Sequence, residues 1–166
     1  ASRRDEPVDT DGWSFAAIAP RWRIVQNSAY PRDRNDGALW AGRGLNTAFS
    51  IGVAARRGPV SARLAPQLLF HQNREFDRVD VVLPPGYSPN IYPWHPGRID
   101  WPQRPGESSF WLPDPGQSFI RFDARAVAFG LSTENLWWGP ALHNPLVLSN
   151  TAPGFPHLFF GTGAPI

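Results

Sequence analysis

The stretch from Asn46 to Asn73, NTAFSIGVAARRGPVSARLAPQLLFHQN, predicts an antiparallel β-hairpin. Its first arm alternates bulky and small side chains with a period of two, which places the two sets on opposite faces of a strand. The bulky set is Thr47, Phe49, Ile51 and Val53, and the small set is Ala48, Ser50, Gly52 and Ala54. Arg56-Arg57-Gly58-Pro59 supplies the turn. The return arm alternates Val60, Ala62, Leu64, Leu68 and Phe70 with Ser61, Arg63, Gln67 and His71.

Two further segments extend this β pattern. Residues 117–134 predict a second hairpin, with a first arm over Phe119–Arg125 and a return arm over Val127–Thr133. Residues 13–25 predict a strand interrupted at Pro20. Each arm of the first hairpin matches the roughly 9–11 residues of a membrane-spanning strand. The total of about five strands is below the roughly eight of the smallest closed transmembrane barrel.

Proline and glycine set the rest of the fold class. The 19 Pro and 15 Gly residues disfavour helices, because Pro lacks a backbone donor and Gly loses more backbone entropy on folding. No apolar run approaches the roughly 20 residues of a transmembrane helix. We expect a mostly β chain: a flexible or extended arm over residues 1–12 and one β-rich domain over 13–166, with antiparallel hairpins and long Pro-rich loops. The longest loop is the Pro- and Trp-rich segment 83–116.

The charge pattern argues against a nucleic-acid partner. All 16 basic residues are Arg, and 14 acidic residues are spread among them, so the net charge is only +2. Nucleic-acid surfaces favour clustered basic residues along one face. Cysteine is absent, which excludes disulfides and thiolate metal sites in this sequence.

No catalytic or metal-binding motif stands out. The histidines His71, His95, His143 and His157 lack close metal spacing and are better read as residues with local hydrogen bonds. The carboxylate pairs Glu75/Asp77 and Asp77/Asp80 leave a glycosidase as a third choice. We therefore expect no enzyme activity, no metal and no cofactor.

Three blocks carry a resemblance to a known family. They are Asn35–Thr47, Trp94–Asp100, and a C-terminal stretch that includes Ser132–Asn135 and Trp137–His157. In this order they resemble the capsule-assembly (Wzi) outer-membrane proteins. The resemblance implies part of an outer-membrane β-barrel of a Gram-negative-type bacterium, here too short to close, and a non-catalytic role at the cell surface.

Two functions follow as expectations. The first is a membrane-extrinsic structural subunit on the periplasmic side of the envelope, a truncated relative that braces a larger membrane complex. The alternative is an outer-membrane protein associated with capsular polysaccharide, of which these residues are the first part. Indole rings suit sugar stacking, membrane interfaces and protein contacts. The expected ligand- or partner-binding residues are Trp94, Trp101, Trp137, Trp138, His143 and Asn144.

Overall fold

A computed structural model of the chain describes residues 12–32, 37–76, 104–136, 150 and 152–162. These residues form one antiparallel sheet of eight strands and contain no helix, so no described helix is long and apolar enough to cross a bilayer. The sheet is not closed into a barrel. The strands are β1 (Ser14–Asn27), β2 (Gly44–Arg57), β3 (Val60–Leu64), β4 (Gln67–His71), β5 (Phe110–Asp114), β6 (Phe119–Ala124), β7 (Val127–Ser132) and β8 (His157–Thr162).

The eight strands form six ribbons, because two pairs of strands follow one another end to end in the same row of the sheet. β3 and β4 follow one another along the same side of β2, pairing with its two ends. β6 pairs with β3 and β5 pairs with β4, so these two also run end to end. The ribbons therefore lie side by side in chain order, from β1 through β2, β3/β4, β5/β6 and β7 to β8. The predicted β fold with antiparallel hairpins is confirmed.

The interruptions within these ribbons are aligned across the sheet. The β1–β2 register shifts between Ile18 and Arg21, on either side of Pro20. Pro66 separates β3 from β4, and Pro115-Gly116 separates β5 from β6. Proline cannot donate to a ladder, so pairing breaks or bulges where it occurs.

The line across the sheet through Pro20, Pro66 and Pro115 is here called the crease. Hydroxyl side chains supply hydrogen bonds at the crease, where the backbone ladder is interrupted. The Ala65 amide donates to Ser118 Oγ at 2.9 Å. The Thr133 hydroxyl donates to the Gly116 carbonyl at 2.7 Å. The strands on the two sides of the crease therefore remain parts of one sheet.

Three details differ from the sequence-based expectations. Residues 110–114, predicted to belong to the loop 83–116, form β5; Pro113 is tolerated because no described strand pairs with the other side of β5. β8 was not predicted, because Leu158, Phe159 and Phe160 form a short apolar run without the period-two alternation of a half-buried strand. The expected five strands become six ribbons with the addition of β8. The arm 1–12 lies outside the described residues except for Gly12, and 77–103 lies outside them entirely.

The two faces of the sheet have opposite character. Pairing and alternation along the ribbons place large apolar residues on one side, here called the outer face. They are Phe15, Trp22, Phe49, Ile51, Val53, Leu64, Leu68, Ile120, Phe122, Phe129, Leu131, Leu158 and Phe160. The opposite side, the inner face, carries Asn46, Ala48, Ser50, Gly52, Ala54, Ser61, Arg63, Gln67, Leu69 and His71. The predicted alternation of the first hairpin is therefore confirmed for both arms.

The buried core lies on the inner face. Residues 37–43, here called the inner loop, fold back over β2 and β4 and bury Ala38 and Leu39 against Ala48 and Leu69. Small side chains at Ala48 and neighbouring inner positions leave room for this approach. The largest fully buried side chains are Leu39, Leu69, His71, Asn46 and Asn73.

Candidate functional site

The six residues expected to bind a ligand or partner lie outside the described residues. Trp94, Trp101, Trp137, Trp138, His143 and Asn144 all fall in the segments 77–103 and 137–149. The carboxylates Asp77 and Asp80 fall there as well, so the glycosidase pairs have no described geometry. The candidate site is therefore built from the two faces of the sheet.

The outer face is an extended apolar surface. Ile51 is 54% exposed, Trp22 71%, Phe160 77% and Leu158 83%. Monomeric water-soluble proteins rarely expose contiguous apolar patches beyond a few hundred Å². An apolar surface that extends over six ribbons is typical of a site that contacts a membrane or another protein.

Polar residues on the outer face are confined to its margins. Among the outward positions of the eight strands, Arg57 is the one charged residue, and it lies at the end of β2. Its guanidinium lies 5.9 Å from the centre of the Trp13 ring, as in a cation–π contact. Gln26, paired with Leu45, marks the opposite end. The positions between these margins carry no charge.

The inner face carries most of the charge of the sheet. Its basic positions in the described strands are Arg21, Arg23, Arg56, Arg63 and Arg121, and its acidic positions are Asp114 and Asp123. Asp114 accepts hydrogen bonds from the Gln67 side chain and the Gly116 amide, both at 2.8 Å. This carboxylate therefore links β4 to the backbone that follows β5 at the crease.

Asp123 is bound by Arg121. The Arg121 Nη2 and Nε atoms lie 2.6 and 3.0 Å from Asp123 Oδ1. The hydrogen bonds from Arg121, together with the charges of Arg121 and Arg56, hold the pKa of the Asp123 carboxyl below its usual value. Both arginines therefore direct positive charge at one carboxylate.

An open pocket of about 280 Å³ lies on the inner side of β6, β7 and β8. Its lining combines aromatic rings with groups that donate or accept hydrogen bonds. The Asn135 side chain, which also lines the pocket, is hydrogen-bonded to Gln117, Asn150 and Ala152. The other principal lining residues are Phe119, Arg121, Ser132, Glu134, His157 and Phe159. The alternation of residues 119–125 already placed Phe119 and Arg121 on one face, but β8 was not predicted.

The inner loop is anchored by polar side chains. His71 Nδ1 donates to the Trp40 carbonyl at 2.8 Å, and Asn46 Nδ2 donates to the Gly42 carbonyl at 2.7 Å. Asn27 Nδ2 donates to the Ala41 carbonyl at 2.7 Å. The inner loop, which carries part of the family resemblance, is thus fixed to the inner face, and the rest of that block continues into β2.

Both described histidines fit the expected structural role. Burial lowers the pKa of His71, so the imidazole is neutral at physiological pH, and it stacks on Phe110 with ring centres 4.6 Å apart. His157 Nδ1 donates to the Phe155 carbonyl at 2.8 Å. Among residues 12–32, 37–76, 104–136, 150 and 152–162, no three His, Asp or Glu side chains are grouped to hold a metal ion.

Comparison with known proteins identifies no relative. No protein-family model, no curated protein sequence and no solved structure matches this chain.

Proposed function

We propose that this chain is a non-enzymatic structural protein of the bacterial outer membrane whose sheet forms part of a membrane wall, with the outer face against lipid acyl chains. One observation carries the proposal. Along β2, consecutive residues alternate between exposed Phe49, Ile51 and Val53 and the small inner residues Ser50 and Gly52. An apolar side facing out and a polar side facing in are the pattern of transmembrane β-strands.

The dimensions of the outer face support lipid as its environment. From Leu45 to Ala55 the outward positions of β2 span eleven residues and contain no charge. At ~3.4 Å per residue and a tilt of ~40°, this run rises ~26 Å, close to the ~25 Å apolar band of such proteins. The β3/β4 ribbon, from Val60 to Phe70, has the same length.

The unpaired edges of the sheet imply that further strands are needed beside it. Among the described residues, β1, β5 and β8 each pair on one side only. Unpaired backbone groups in lipid cost several kcal/mol each, so all three edges must meet further strands. We therefore place the chain in a larger membrane assembly that completes the wall.

The sequence resemblance supports a place in capsule assembly within this proposal. The inner loop, which is part of its first block, lies on the inner face, where a surface-associated polysaccharide would be reached from the polar side. The competing function, a periplasmic subunit that braces a membrane complex, requires a protein to cover the outer face instead. The uninterrupted apolar character of that face favours lipid.

Spin labels on adjacent residues separate these alternatives, and the absence of native cysteine makes single-site labelling direct. Labels at Ile51→Cys and Ser50→Cys are compared in isolated envelope membranes by power saturation with oxygen, which enriches in lipid, and a water-soluble nickel complex. Lipid contact predicts high oxygen accessibility at position 51 and higher nickel accessibility at position 50.

The alternative results have distinct meanings. A label at position 51 that neither reagent reaches would indicate a protein cover, in favour of the bracing subunit. High nickel accessibility at position 51 would place the outer face in water and refute both accounts.

A further inference from the structure

The connections at the two ends of the sheet differ in length. At one end, here called the turn end, β2 meets β3 through Gly58-Pro59, and β6 meets β7 through Arg125-Ala126. The Asp123 amide donates to the Pro59 carbonyl at 2.8 Å, so the two turns lie side by side. At the opposite ends of the strands, the ribbons are joined by residues 28–43, 72–109 and 133–156. Outer-membrane β-proteins have short turns on the periplasmic side and longer loops on the cell surface.

Exposed tryptophans flank the apolar outer face at both ends. Trp13 precedes β1 and lies at the turn end, 5.9 Å from the Arg57 guanidinium. Toward the opposite end, Trp111 of β5 pairs with Phe70, which pairs with Thr47. The two indoles are 50% and 62% exposed.

The spacing of these tryptophans matches the thickness of an apolar band in a bilayer. From Thr47, in the row of Trp111, to Arg57, beside Trp13, β2 advances ten residues. At ~3.4 Å per residue and a tilt of ~40°, this distance is a rise of ~26 Å. Aromatic girdles flank an apolar band of ~25 Å in transmembrane β-proteins, so the two tryptophans have the spacing of such girdles.

The turn end carries exposed positive charge. Arg57 and Arg125 are both exposed, one at each of the two neighbouring turns. The nearby carboxylate of Asp123 is bound by Arg121 on the inner face. A cation–π contact leaves the N–H donors of a guanidinium available to oxygen acceptors, and guanidinium groups bind phosphates through paired donors. An Arg–Trp pair at the margin of an apolar face therefore fits the headgroup region of a phospholipid layer.

We propose that the turn end lies at the periplasmic surface of the outer membrane, where Arg57 and Arg125 bind the phosphate groups of phospholipid headgroups. The proposal rests on the proposed function, because it requires the outer face to lie in the bilayer. It adds a direction to that function: β1 starts and β8 ends on the periplasmic side, and the opposite ends of the strands face the cell surface.

Cysteine labelling of cells that carry the chain in its native assembly tests the direction. Ala126→Cys places a thiol in the turn end, and Ser109→Cys places one just before β5, at the opposite end; both residues are small and exposed. A maleimide too large to cross the outer membrane is expected to label Ser109→Cys on intact cells. The same reagent is expected to label Ala126→Cys only after the outer membrane has been permeabilised.

The outcomes separate this proposal from the proposed function. Labelling of Ala126→Cys alone on intact cells would refute the direction and leave the membrane wall standing. Labelling of both thiols on intact cells, or of both only after permeabilisation, would place both ends on one side of the membrane. That result would refute the membrane-spanning sheet and the direction together.

Urea unfolding in two media tests the headgroup contact. The reconstituted assembly is compared in vesicles that contain phosphatidylglycerol and in dodecyl maltoside micelles, which contain no phosphate. Arg57→Gln and Arg125→Gln are each expected to raise the unfolding equilibrium constant about 5-fold more in vesicles than in micelles. Arg63→Gln is the control, because Arg63 pairs with Ala54 on the inner face and its replacement is expected to have the same effect in both media. Equal effects of Arg57→Gln in the two media would overturn the headgroup contact, since loss of the cation–π contact acts in both.

Discussion

Replacing Ile51 by arginine tests the environment of the outer face most directly. Ile51 is six positions from Leu45 and six from Arg57, the two ends of the outer face on β2. Six residues at ~3.4 Å and a tilt of ~40° give a rise of ~16 Å. The hydrocarbon core is ~30 Å thick, so Ile51 lies near its midplane in the proposed orientation.

The two environments predict different costs for Ile51→Arg. An arginine on the lipid face at the midplane destabilises a transmembrane β-sheet by ~2–4 kcal/mol. In water the same change costs within ~0.5 kcal/mol, because Ile51 is already 54% exposed and few contacts would be lost. The expected difference of at least ~1.5 kcal/mol corresponds to a factor of roughly 10 or more in the unfolding equilibrium.

Urea unfolding of the protein in its reconstituted assembly in phospholipid vesicles measures this cost. Ser50→Arg is the control, since Ser50 is the preceding residue and faces inward, paired with Arg21 and Gln67. It adds the same charge to the polar side and is expected to cost less than ~1 kcal/mol. Equal free energies of unfolding for the two variants in vesicles would refute lipid contact at the outer face.

Two further predictions concern the crease and the inner loop. Gly116→Ala is expected to destabilise the protein more than Gly58→Ala in urea unfolding: both glycines have positive φ, 60° and 51°, but a Cβ at 116 would collide with the Ala65 carbonyl while one at 58 meets nothing. Equal losses would mean that the close approach at the crease is unimportant. Since burial lowers the pKa of His71 below 6.5 in the folded state, the unfolded chain binds more protons below that pH, and stability is expected to fall as the pH drops from 7.5 to 5. In His71→Gln the free energy of unfolding is expected to depend less on pH over this range. An unchanged pH profile in that variant would mean that His71 is not the source of the pH dependence.

Local alternation was sufficient to predict the hairpins. Along β2 and β3 the bulky and small residues follow a strict period of two, so both the strands and their faces could be assigned from residues 46–64 alone. The predicted interruption at Pro20 takes the form of a register shift, because β1 continues through this residue although it lacks a backbone donor. Such features depend on a few consecutive residues.

Features that depend on distant residues were not predictable in this way. β5 contains Pro113 and forms only because β4 offers a partner for Phe110–Asp114. The inner loop looks irregular in sequence, yet His71, 31 residues from Trp40, holds it in place. Arg56, Ser61 and Arg121 come from three different strands, and the pairing register of β2, β3 and β6 places them side by side. These contacts require the register of the whole sheet.

The distribution of buried and exposed residues supports the proposal that the outer face contacts an apolar medium. Three of the five largest fully buried side chains, His71, Asn46 and Asn73, are polar, whereas Leu158 and Phe160 are mostly exposed. In water-soluble proteins the opposite order prevails, since burying a large apolar side chain contributes ~1.5–3 kcal/mol. Polar burial here is supported by hydrogen bonds, such as those of Asn73 Nδ2 to the Pro105 and Ser108 carbonyls at 2.7 and 2.9 Å. The inner side is therefore stabilised by its own contacts, and the outer side depends on what surrounds it.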